Sequence, residues 1–459
     1  MSTAIDQPQP FSKLPYLIAA HILILLGYGL NQGLYFHQAQ LWLLFLGWLV
    51  LLLPLLKKPW LEFKFGADPV KLLLAANLAG FILSYFFDGG IYLVSRQGDN
   101  NIILLKFAAL FLFLLYFVDF KLLGNNFFSA VLSHLSKFKF YYLVILALAL
   151  RLLIIFYSPA PNIDVFYLLQ GGADSIWQGQ NPYTEVYYNV YSPAQCQAFY
   201  GEQDCANDNY TYLPAAIIIS AVFKLFFGDV RFSYIFAIFG CAFIVYFLLK
   251  NKHAGQKIIS ELGALLVLYL PLGLFVLEQS WTDQFLAFYL YLFVYLFLAG
   301  LSQPAFAVFG IFLASKQTAF AFVPFLLAVR GIKFKPWLIA LAVFGLIVLP
   351  FVFWQPADFY YDIVIDQLKF KEGLHSLSVN NLSRIVFQAG INQWLLFSAA
   401  GLLLVVLRRG KKDLAGFLHA SILFLLGLFF LRRGFVNYYN FISLAMILLI
   451  VLSLRDLKI

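Results

Sequence analysis

"APNIDVFYLLQGGADSIWQGQNPYTEVYYN" occupies residues 160–189 of a 459-residue chain. The stretch is acidic and aromatic, holds no lysine or arginine, and lies between runs apolar enough for lipid. Pro159 and Pro161 end the run before it. Asn162 or Asp164 can then cap a new helix. Projecting 163–178 at about 100° per residue puts Asp164, Tyr167, Gln170, Gly171, Asp174 and Gln178 on one arc. Val165, Phe166, Leu168, Leu169, Ala173, Ile176 and Trp177 fall opposite. The pattern predicts an amphipathic helix lying on a membrane surface, with "GQNPY" (179–183) turning the chain after it.

Working outward, the chain is 63% hydrophobic and 12% charged, about half the charge of a soluble domain, so it belongs to the membrane class. Apolar runs near spanning length lie at 14–30, 39–56, 70–87, 102–120, 139–157, 258–277, 284–300, 336–354, 393–407, 414–431 and 436–453. Two further apolar regions are interrupted, 213–249 at "GDVR" (228–231) and 303–330 at "SKQT" (315–318). The expected fold is an all-α polytopic membrane bundle with about 13–14 spanning or half-spanning helices. The N-terminal residues show no cleavable signal pattern, so the first run is expected to remain as a helix. The net charge of +9 comes with no dense basic patch interleaved with aromatics, so nucleic acid is not an expected partner.

The positive-inside rule orients the map. Basic loops at Lys57 and Lys58, Lys121 with Lys137 and Lys139, "KNKHAGQK" (250–257), "RGIKFK" (330–335) and "RRGKK" (408–412) are expected in the cytoplasm. The loop 158–212 carries Asp164, Asp174, Glu185, Glu202, Asp204 and Asp208 and no cation, which places it outside. Four spans before 139–157 then put the N-terminus inside. The crossings within 213–249 do not fit a single parity, and 303–330 returns to its own side if two half-length helices meet at Lys316.

Asp164 sits where a spanning helix leaves the bilayer. A carboxylate there stays ionised cheaply and can act as a general base between a lipid-borne and a soluble substrate. The plainer reading is a helix cap on a surface anchor; Tyr167 and Asp174 on the same arc, in a large acidic loop, weigh against it.

At these residues the chain resembles the C-type glycosyltransferases, and more narrowly the bacterial polyprenyl-phosphate-mannose-dependent mannosyltransferases. The resembling pattern is an Asp after a spanning helix, then a Tyr, then a G-x-x-P-Y turn, here Asp164, Tyr167, Gly179, Pro182 and Tyr183. "YTYLP" (210–214) departs from that family's Y-x-Y-P-P by Leu213. "EQSWTDQFLAF" (278–288), "ASKQTAFAFVP" (314–324), "NNLSRIV" (380–386) and "NYYNF" (437–441) follow in order. The resemblance covers roughly 139–453, leaving 1–136 as an N-terminal four-helix module outside it and 137–459 as a core with outer loops 158–212 and 355–392. It implies transfer of a sugar, mannose or another hexose or pentose, from a polyprenyl-phosphate donor to a glycan, lipid or protein acceptor at the outer face. The anomeric centre would invert, with Asp164 as base.

Other candidates carry alternatives. Glu278 and Asp283 are expected to bind sugar hydroxyls or a divalent cation, or else form a polar turn. Lys316, Arg432, Arg433 and Arg384 are candidates for the donor phosphate; a snorkelling role is the alternative for Lys316, Arg432 and Arg433. His375 reads as a solvated loop residue, and no His or Cys cluster has metal-ligand spacing. Cys196 and Cys205 can pair if the outer compartment is oxidising. The rival from another class is a transporter or lipid-linked-sugar flippase. Broken helices favour it; the lack of an internal repeat and the single long loop do not.

Overall fold

The computed structural model describes residues 13–30, 35–55, 68–118, 127–201, 205, 209–251, 257–369, 372–410 and 412–456. Lys57, Lys58, Lys121, Glu202, Asp204, Asp208 and most of "KNKHAGQK" lie outside them. Every regular element among the described residues is helical. Eight helices are long and apolar enough to cross a membrane and six shorter apolar ones accompany them, so the chain is a polytopic helical membrane protein.

The first four helices are α1 (Leu14–Gly29), α2 (Gln38–Leu52), α3 (Pro69–Phe87) and α4 (Arg96–Leu114). Then come α5 (Phe127–Tyr157), α6 (Asp164–Trp177), α7 (Pro193–Tyr200), α8 (Pro214–Phe227), α9 (Phe232–Lys250), α10 (Lys257–Leu268) and α11 (Gly273–Glu278). α12 (Asp283–Leu298), α13 (Ser302–Leu313), a 3-10 turn (Gln317–Phe322) and α14 (Val323–Leu326) follow. The last part holds α15 (Phe334–Trp354), α16 (Pro356–Tyr360), a π turn (Tyr361–Ile365), α17 (Asp366–Lys369), α18 (Val379–Phe387), α19 (Gln393–Leu407), α20 (Leu414–Leu431) and α21 (Val436–Asp456).

α21 is the axis of the bundle, enclosed by α1, α9, α10, α12 and α20. α15 is the most open span; Leu338, Leu341, Leu346 and Phe353 face outward, as a lipid-facing helix requires. The N-terminal helices share one hydrophobic core with the rest. α1 packs between α2 and α21, and Tyr28 stacks on Tyr439 with ring centroids 6.4 Å apart. Trp48 Nε1 donates to the Leu423 carbonyl at 3.0 Å, and Asn77 Nδ2 donates to that of Leu262 at 3.0 Å.

Two expectations change. The run 258–277 is not one helix: it stops at Leu268 and restarts at Gly273, with Leu272 in the left-handed region at φ 60°. The free backbone groups at this break find side chains. Asp88 accepts from the N–H groups of Leu274 and Phe275, each at 3.0 Å, and Arg151 Nη2 donates to the Leu268 carbonyl at 2.7 Å. The second change is α6. Its apolar arc does not rest in lipid but on α8. Gly172 makes the approach possible, since a Cβ there would lie 2.3 Å from Ile217 Cδ1.

Candidate active site

Several helix beginnings converge above the break at Lys316. α13 ends at Leu313, Lys316 is extended (φ −159°, ψ 144°), and a 3-10 turn starts at Gln317. Around this point lie the starts of α6, α12 and α21, each with its partial positive charge. Asp164 and Asp283 are the first residues of α6 and α12, so both carboxylates sit where a helix favours an anion. Between these ends is a cavity of about 190 Å³. Its wall carries Asp164, Lys316, Arg433, His375, Gln279, Gln367, Thr211 and Asn437 among the aromatic rings of Tyr92, Tyr191, Phe199, Tyr200, Tyr212, Trp281 and Tyr438.

Asp164 is buried, 7% exposed, and does not cap α6 from outside: Ile163 is the cap residue and contributes no side-chain bond. Its Oδ1 accepts from Val165 N–H at 2.8 Å and from the Tyr191 hydroxyl at 3.1 Å. Burial, followed by the Asp164 charge, holds the Tyr191 hydroxyl well above the ordinary phenol range, so it stays protonated and donates.

Lys316 is not a free cation. Its Nζ lies 2.8 and 2.9 Å from the two oxygens of Asp283, which also accepts from Asn437 Nδ2 at 2.7 Å. Nζ stands 4.9 Å over the Tyr438 ring. Asp283 is 1% exposed and is not on the cavity wall; Lys316 is the member of the pair that reaches it. An ammonium has three N–H bonds, of which Asp283 takes at most two.

The remaining candidates divide. Arg433 reaches the cavity with its backbone at φ 60°, its N–H donating to Glu372 Oε1 at 3.0 Å and its Nη2 to the Gln367 carbonyl at 2.7 Å. Arg432 and Arg384 are not on the cavity wall; Arg384 Nη1 donates to the Glu372 carbonyl at 2.7 Å. Glu278 is fully buried and holds the segment between α3 and α4, accepting from the N–H groups of Ile91 (2.7 Å) and Tyr92 (3.0 Å). Tyr183 donates to the Tyr212 carbonyl at 2.8 Å from within an aromatic cluster with Tyr210, Phe351 and Phe359, behind the cavity wall. Tyr167 packs edge-on with Tyr188, and Asp174 turns away to Lys224 at 2.6 Å. Cys196 and Cys205 are bonded, with Cα atoms 5.3 Å apart, and close the loop that carries Phe199 and Tyr200 over the cavity. Among the described residues no three His, Cys, Asp or Glu side chains gather as a metal-holding group.

Sequence reasoning missed one cavity residue and two buried charges that hold the loops around it. His375 lines the cavity instead of standing in solvent. Glu372 is buried at the centre of the second long loop, accepting from Ser376 and Asn380 at 2.5 Å each and from Ser378. Arg231, fully buried, pairs with Asp229 at 2.6 Å and donates to the Ser158 carbonyl at 2.7 Å, so it pins the start of the loop whose own sequence lacks cations. An Asp two residues before an Arg in a short turn, "GDVR", was the available signal for that clamp.

No family model matches the chain, and no curated protein or solved structure matches it.

Proposed function

We propose that this chain is a membrane glycosyltransferase that moves a sugar from a polyprenyl-phosphate donor to an acceptor hydroxyl at the outer face. The observation that supports this reading best is that Asp164 and Lys316, on separate helix starts, share one aromatic-walled cavity with Arg433. A base, phosphate-binding cations and flat rings for a sugar are what the chemistry requires.

In the proposed step, Asp164 takes the proton of the acceptor hydroxyl. The oxygen lone pair attacks the anomeric carbon opposite the phosphate, and a new glycosidic bond forms. The bond from that carbon to the phosphate oxygen breaks, and its electron pair leaves with polyprenyl phosphate. The anomeric configuration inverts. Lys316 and Arg433 offset the charge appearing on the leaving phosphate. Tyr191 donates to Oδ1 and so holds the carboxylate in place. Asp164 then returns its proton to water. A divalent cation at the phosphate would add to the same neutralisation.

A lipid-linked-sugar flippase would move the donor without changing a bond. The test therefore reads bond cleavage: purified protein in nanodiscs, polyprenyl-phosphate mannose, sugar acceptors, and release of polyprenyl phosphate. Asp164→Asn keeps an oxygen for Val165 N–H and Tyr191 but cannot take a proton. Turnover should fall by about 100-fold or more, the usual contribution of a general base, with thermal stability close to wild type. Asp174→Asn, on a half-exposed group paired with Lys224, should cost little. Near-normal turnover of Asp164→Asn would refute the assignment of the base.

A further inference from the structure

His375 is a cavity residue that the transfer step above does not use. Its backbone is fixed on both sides. Leu374 N–H donates to the Phe199 carbonyl at 2.7 Å, and Asn381 Nδ2 donates to the carbonyls of Leu374 and Ser376 at 2.8 Å each. The ring is held by other rings, with Phe435 at 5.2 Å and Phe199 at 5.9 Å between centroids. Gly373 leaves it room: a Cβ there would lie 2.6 Å from His375 Cε1.

Against this rigid mounting, one ring nitrogen is unsatisfied. Nδ1 is shut away from solvent with no hydrogen-bond partner, so Nε2 is the nitrogen that opens toward the cavity. Nε2 is therefore the ring nitrogen that a molecule in the cavity can meet. Burial lowers the imidazole to about 4, so the ring is neutral at physiological pH and Nε2 presents either a donor or an acceptor, according to the tautomer. That suits an uncharged hydroxyl, which can accept or donate, better than a phosphate or an ammonium. The flanking aromatic faces suit the C–H face of a sugar ring.

We propose that His375 is a specificity-determining residue that reads one ring hydroxyl of the sugar held beside Asp164. The proposal rests on the transferase reading of this cavity, and it names the ligand class as a neutral sugar. The hydroxyl belongs either to the donor's sugar or to a sugar acceptor.

Two measurements on the full chain in nanodiscs separate the outcomes. The first is calorimetric binding of a panel of methyl hexosides and pentosides, which needs no turnover. The best ligand should bind about tenfold more weakly to His375→Phe, the loss of one hydrogen bond. His375→Gln, which returns an amide near Nε2, should recover most of it, and His375→Asn, which reaches only the Nδ1 position, should not. The second is kcat/KM for polyprenyl-phosphate mannose and its monodeoxy analogues, and for methyl mannoside acceptors deoxygenated in the same way. Wild type should discriminate about tenfold against one deoxy sugar, and His375→Phe should lose that discrimination alone. The series in which it disappears identifies the source of the hydroxyl. Equal binding by wild type and His375→Phe, or a panel that does not bind at all, overturns the proposal. A failure of wild type to release polyprenyl phosphate while the binding differences persist would instead overturn the transferase reading and leave His375 as a sugar-binding residue.

Discussion

Lys316→Met would leave Asp283 with Asn437 Nδ2 at 2.7 Å and no cation, because Lys316 is its one ion-pair partner among the described residues. Asp283 is 1% exposed and stands behind the cavity wall, so water cannot replace the ammonium. Removing one partner of a buried pair costs about 3–5 kcal/mol, and the surviving amide bond puts this case at the lower end. The reverse change, Asp283→Asn, strands Lys316, but Lys316 opens on the cavity and can be hydrated there. It should cost less. The double variant Lys316→Met with Asp283→Asn leaves no unpaired charge and should be more stable than Lys316→Met alone. Thermal unfolding of the purified proteins in one detergent gives the order: wild type, double variant and Asp283→Asn above Lys316→Met. Additive losses in the double variant would refute the pairing. The double variant is also the sound test of the phosphate role, since Lys316→Ala by itself reports folding and ligand binding together. It should remain folded and bind the polyprenyl-phosphate donor at least tenfold more weakly; unchanged donor affinity would remove Lys316 from the phosphate site.

Further outcomes follow from single contacts. Gly172→Val forces α6 off Ile217 and should cost about 1–3 kcal/mol as overpacking; unchanged thermal stability would mean that α6 is not seated on α8. Removing the Cys196–Cys205 bond, which spans a sequence separation of 9, should cost up to about 3 kcal/mol on chain-entropy grounds, and mass spectrometry of non-reduced peptides should find the pair joined. A cysteine at the exposed Ser192 should react with an impermeant reagent in intact cells; labelling only after permeabilisation would invert the orientation proposed from charge.

The helices were legible where hydropathy alone decides them. Expected runs 393–407 and 414–431 coincide with α19 and α20, and the interruption at "SKQT" is where α13 ends and Lys316 becomes extended. The break at Tyr269–Leu272 carries its own signal, Pro271 with Gly273 after it, which a reading by hydropathy alone passes over; what was not legible is how the break is satisfied, because that depends on partners distant in sequence. Asp88 and Arg151 satisfy it from α3's end and from α5. The same holds within the site. Asp164 stood out as a carboxylate at a span's end, and Lys316 as a cation inside an apolar run. Their surroundings did not: Asp283 reads as part of a polar turn until α12 and the Lys316 break are brought together. Helical projection placed Asp174 and Asp164 on one arc, yet Lys224 draws the first outward while Tyr191 encloses the second. A projection carries angle but not the identity of what stands opposite.

The packing of α1 against α21 has a consequence for how the protein is made. Among the described helices, the first in chain order rests on the last. Roughly 400 residues lie between Gly29 and Val436, and at about 5–20 residues per second their synthesis occupies on the order of 20–80 s. During that interval α1 has α2 and α3 for neighbours, but Tyr28 lacks the Tyr439 ring it stacks on. A chain stopped before α21 therefore has no late helix to close around. Such a nascent chain should be a substrate for membrane quality control.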